Sequence, residues 1–117
     1  MMVMGLLMLA FGAQAQQTAQ GITSGQRRLY TECVGSMERA AREAYMQSAG
    51  VDQPGLSETL QLADMCIKQA RKEPLSPSLM KHFESLVDTY RGAISAPSAA
   101  ASAVETSKGG HLLELLN

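Results

Sequence analysis

The sequence predicts an all-α protein: a small three-helix bundle held by one inter-helix disulfide, with a disordered Ala/Ser-rich C-terminal tail. Three observations carry that expectation. Apolar residues recur at three- and four-residue steps in three separate stretches, each bounded by helix-start and helix-stop residues. No stretch alternates apolar and polar residues as a half-buried strand does. The chain has two cysteines, Cys33 and Cys66, and they fall in the first and second apolar stretches.

Residues 1–15 read as a secretory signal peptide. An uncharged apolar run over residues 3–11 is followed by Ala13-Gln14-Ala15, with small residues at the two positions a signal peptidase reads. The run is far short of the roughly 20 apolar residues a membrane span needs. Cleavage after Ala15 is therefore expected, giving a periplasmic or secreted protein of about 100 residues, one small domain, with no membrane contact afterwards. No Lys or Arg precedes the run, so the amino terminus itself, or a start further upstream, is expected to supply the usual positive charge. Residues 16–22 form a polar, Gln-rich spacer.

The bundle is expected over residues 23–94. Thr23 and Gln26 have capping-box spacing, and Tyr30, Cys33, Val34, Met37, Ala41, Ala44 and Tyr45 then form one apolar stripe. Gly50 is placed to end this first helix in a left-handed cap. Pro54-Gly55 marks a turn, and Ser57 is expected to cap a second helix whose stripe is Leu56, Leu60, Ala63, Ile67 and Ala70. Arg71 and Lys72 suit its negative C-terminal pole, and Pro74 stops it. Ser76-Pro77, cap then first-turn proline, opens a third helix with Leu79, Phe83, Leu86, Val87, Tyr90 and Ile94 on its apolar face. Met37, Met46, Met65 and Met80 are read as packing residues of the three helices. Residues 95–110 are a low-complexity linker, and residues 111–117 a short apolar segment that either packs back on the bundle or docks in a partner's groove.

An even pair of cysteines in an exported chain is a disulfide by default. Closing a loop of about 34 residues stabilises by about 4 kcal/mol on the chain-entropy account, which matters in so small a domain. The two cysteines sit at unequal distances from the first turn, a mismatch of about 10 Å of helix rise. The Gly50–Leu56 connection can climb that far, at about 3.3 Å per extended residue. Gly35, a glycine inside a helix beside Cys33, is expected to mark a close helix approach.

Composition narrows the function. With 10 Lys+Arg against 11 Asp+Glu the formal net charge is −1, which argues against a nucleic-acid grip or adsorption to anionic lipid. His82, Glu84 and Asp88 point in different directions on a helix, so no metal site is expected there. No Cys-x-x-Cys or Gly-x-Ser-x-Gly occurs. The reading is of a non-enzyme without cofactors, whose partner is another protein. The charged face of the first helix, Glu38, Arg39, Arg42 and Glu43, is the expected recognition surface, with the Gly50–Leu56 connection beside it. A periplasmic stress or holdase-type chaperone, baring its apolar stripes when the bundle loosens, is the alternative.

The order of features is a signal peptide, a helix bearing Cys33-Val34-Gly35, a loop with Pro54-Gly55, a helix ending Lys72-Glu73-Pro74, and Ser76-Pro77 opening a last helix. It resembles the small periplasmic immunity proteins of the Tai/Rap type, which protect bacteria against type VI secretion effectors. The similarity runs over residues 29–94. Ser36 stands where that family carries an aromatic, and Cys66 lies inside the second helix rather than in a loop or after the last helix. The resemblance implies tight, stoichiometric binding of a toxin or effector, without catalysis.

Overall fold

The structure, a computed structural model, describes residues 21–97 and 109–117. The expected signal peptide, residues 16–20 of the spacer and residues 98–108 of the linker lie outside them. Four helices are described: α1 (Ser24–Ser48), α2 (Leu56–Lys72), α3 (Pro77–Ser95) and α4 (Gly109–Leu116), with no strand among the described residues.

The capping box forms as its spacing predicts. Thr23 Oγ1 accepts from the Gln26 amide at 3.0 Å, and Gln26 Oε1 accepts from the Thr23 amide at 3.1 Å. At the other end of α1, Gly50 takes φ +91°. Its amide donates to Gln47 O and the Val51 amide to Met46 O, both at 3.0 Å, which satisfies two of the last carbonyls. α2 begins two residues earlier than its sequence signals suggest. Gly55, not Ser57, is the N-cap, and no side chain caps the end. Ser57 lies exposed within the first turn, while Thr59 Oγ1 donates to Gly55 O at 3.0 Å. Ser76 and Pro77 hold the expected cap and first positions of α3, although the Ser76 side chain makes no capping bond.

Among the described residues the expected three helices become four. Gly109 and Gly110, read as linker, open α4, and Ser95, also read as linker, closes α3. Eight residues are too few to hold a helix alone. α4 exists because Leu112 and Leu116, one turn apart, are both buried against α1 and α3. The C-terminal segment packs on the bundle. Ile22 is a second correction, since it belongs to the core rather than to a polar spacer.

α1 is the hub. α2 and α3 both pack on it, and α4 packs on α1 and α3. At the end where α1 begins, Tyr30, Cys33, Ile67, Leu75, Leu79 and Phe83 fill the interior. The Tyr30 ring meets Phe83 edge-on, centroids 4.8 Å apart. Its hydroxyl donates to Ala70 O at 2.7 Å. Gln26 Nε2 reaches Glu73 O at 3.3 Å and Pro74 O at 3.2 Å. These bonds tie the start of α1 to the α2–α3 connection. Toward the other end of α1 the buried positions become Ala40, Ala41 and Ala44.

Candidate functional site

A disulfide joins Cys33 of α1 to Cys66 of α2, with the Cα atoms 5.4 Å apart. α1 runs about four turns beyond Cys33, whereas α2 reaches Cys66 in under three. Residues 49–55 climb the difference of about 8 Å. The bridge therefore fixes the axial register of two antiparallel helices, and everything α1 displays is held in one frame with α2.

Glu38, Arg39, Arg42 and Glu43 fall outside the arc of buried positions on α1. Arg39 and Arg42 are exposed, and Glu38 and Glu43 are half-buried. Glu38 and Arg42 each engage another group of the chain. Glu43 keeps one carboxylate oxygen buried without a hydrogen-bond partner. The four residues thus share one side of the helix, as their spacing predicts. Gly35 does not do what was expected of it. A Cβ there would meet nothing within 4 Å, and the residue is exposed. It lies 200° around the helix from Cys33, so Cys33 and not Gly35 stands on the side that approaches α2.

The last turn of α1 and the connection carry a feature that the stripe pattern hid. Tyr45, Met46 and Val51 are 44%, 37% and 46% exposed. Tyr45 was placed on the buried stripe, but it sits 100° from the truly buried Ala44 and falls off the stripe's edge. Met46 and Met65 also leave the core, Met65 being 65% exposed one position before Cys66, while Met37 is buried and Met80 half-buried. Counting each residue's angle from the cysteines, rather than accepting any three- or four-residue step, would have found these exposures in the sequence.

Beside this end, α2 and α3 part and leave two hollows, of which the smaller reaches α1. One, of about 480 Å³, is lined by Leu60, Gln61, Asp64, Tyr90, Arg91 and Ile94. The other, of about 300 Å³, shares Leu60 and Ile94 and is floored by Ala44 and Gln47. The small side chain of Ala44 and the spread of α2 from α3 leave room for this trough.

The titratable groups are dispersed. Glu84 reaches α2, where Arg71 Nε and Nη2 bond its two oxygens at 3.0 and 2.7 Å. The bonded guanidinium holds the Glu84 carboxyl below its ordinary range. His82 turns the other way, its ring against His111 of α4 with centroids 5.1 Å apart. The two were expected to diverge, and they do. Burial pushes the Tyr30 hydroxyl up to about 12 and raises that of Tyr90 as well. Among the described residues no three His, Cys, Asp or Glu side chains come together as a metal-holding group, and no helix is long and apolar enough to cross a membrane.

Comparison with protein-family models, with curated proteins and with solved structures finds no match for this chain.

Proposed function

We propose that the chain is an exported helical module that binds another protein stoichiometrically, in the manner of an immunity or inhibitor protein that masks a toxin. One observation carries the reading. Tyr45, Met46 and Val51 lie exposed at the end of α1, next in the chain to the charged face formed by Glu38, Arg39, Arg42 and Glu43. Tyr, Met and Arg are the residue types enriched where one protein grips another, with apolar anchors inside a charged rim. A disulfide-braced frame favours this use, because a surface that is already ordered loses little freedom on binding. The bridge also fits an oxidising compartment, and with it export. The resemblance to periplasmic immunity proteins points to the same role.

The test uses the oxidised protein as bait in periplasmic extract from its own source, followed by binding measurements with the purified captured protein. A 1:1 complex is expected, weakened at least about a hundredfold by Tyr45→Ala combined with Arg39→Glu and Arg42→Glu, given that interface anchors each contribute about 2 kcal/mol or more. Equal binding by that variant removes the reading. Capture of many unrelated proteins, increasing after reduction, favours the holdase alternative instead.

A further inference from the structure

We propose that His82 and His111 form a clamp for one divalent transition-metal ion, zinc or its neighbours nickel and copper, and that the ion fastens α4 to α3. The rings come from different helices and meet at a centroid separation of 5.1 Å. Two imidazoles that bind one tetrahedral ion through N–metal bonds of about 2.0–2.1 Å place their centroids about 5 Å apart. The ring centroids therefore already stand at the separation that chelation needs. Their planes stand 67° apart, edge to face. Both residues are exposed, and the ring torsion of histidine is broad, so the nitrogens can turn toward a shared ion without repacking.

The donor set suits this class of ion. Neutral imidazole is the common protein ligand for zinc, nickel and copper, whereas calcium and magnesium take oxygen. No third His, Cys, Asp or Glu joins the pair among the described residues. Water completes the coordination, and affinity is moderate rather than that of a four-ligand structural site. The consequence falls on α4. This eight-residue helix is otherwise held by Leu112 and Leu116, with Leu113 and Leu115 partly buried at its flanks. A bond between its first turn and α3 adds directly to a docking that rests on few side chains. The inference stands apart from the partner-binding proposal, since it uses neither the charged face of α1 nor the trough.

Zinc titration of the oxidised protein tests it by native mass spectrometry and by hydrogen exchange at Leu112–Leu116. One zinc per monomer is expected. At free zinc ten times the dissociation constant, exchange in α4 slows about ten-fold. His82→Ala and His111→Ala each abolish both effects, and the milder His82→Gln, which keeps the size of the side chain, does the same. The proposal is overturned by a wild-type protein that takes up no zinc, by uptake that survives in either alanine variant, or by zinc that appears only between two copies of the chain.

Discussion

The two ends of the bundle are built differently. Where α1 begins, aromatic and branched side chains fill the interior, a disulfide stands two turns from the last residue of α2, and Tyr30 and Gln26 bond the α2–α3 connection. Where α1 ends, the buried positions on it are alanines, α2 and α3 part over a trough, and three large apolar side chains face outward. Covalent and hydrogen-bonded ties thus accumulate at one end, while across the trough α2 and α3 meet only through a long ion pair among the described residues, Arg91 Nη2 to Asp64 Oδ1 at 4.0 Å. On the function proposed above, the bundle separates stability from adhesion along its length, because packing density in one layer does not require it in the next. On this view substitutions at the tied end change stability, and those at the open end change binding.

The largest effect that could break this division comes from the bridge. Replacing Cys33 and Cys66 together with alanine should lower stability by about 4 kcal/mol, from the entropy returned to a loop of about 34 residues. In a domain of this size that is on the order of 20 °C in Tm, read by thermal melts with and without reductant. A loss under about 1 kcal/mol would mean that apolar packing alone carries the tied end.

Tyr30→Phe comes next. Ala70 O also accepts from the Glu73 amide at 3.0 Å, so loss of the hydroxyl leaves no orphaned carbonyl. The expected cost is about 1 kcal/mol, the net worth of one hydrogen bond. The same residue gives the alkaline limit. Its folded-state value is raised from 10.0 to about 12 by burial, so its contribution is whole below pH 10 and is lost as pH rises toward 12. Tyr30→Phe should flatten the fall in urea midpoint over that window without removing it, since Tyr90 is raised in the same direction.

The sequence made the helices and most of their edges legible, but not their number among the described residues. Capping chemistry is local, so Thr23, Gln26, Gly50 and Pro77 could be placed from neighbours a few residues away. The disulfide followed from cysteine arithmetic and helix rise. What escaped was decided by contacts distant in the chain. α4 is a helix because α1 and α3 offer Leu112 and Leu116 a place to bury, and Ile22 is core because the bundle closes over it. Of the candidate site, the charged face of α1 was legible because it needs only a helix wheel. Tyr45 and Met46 were missed because any three- or four-residue step was accepted as stripe, and a stricter helix angle puts both outside the buried arc.

Gly35 sharpens the comparison from the outer side of α1. A methyl group there meets open space, and the residue lies within the helix. Gly35→Ala should therefore stabilise by about 0.8 kcal/mol through helix propensity alone. A rise of about 4 °C in Tm would match it. A fall would show that something packs close to the glycine after all, as its position beside Cys33 first suggested.

The smallest effect concerns the polar tie between the two outer helices. The Arg71–Glu84 pair is bidentate, but both side chains are about two-fifths exposed, at 39% and 41%. Arg71→Gln should cost at most about 0.5 kcal/mol, and less in high salt. Glu84 has its folded-state value lowered from 4.5 by Arg71, so the contribution is present above 4.5 and disappears as pH falls through the lower folded value. Wild type and Arg71→Gln should therefore differ in urea midpoint at pH 7 and converge in acid. The pair is a direct tie between α2 and α3, and it lies toward the end of α2 that the disulfide also guards. Faster exchange along α2 from Asp64 to Lys72 in the variant, without change in α1, would place part of the tied end's rigidity in that pair. Unchanged exchange would assign the rigidity to the bridge and to Tyr30, with the ion pair a consequence of the helix spacing rather than a cause of it.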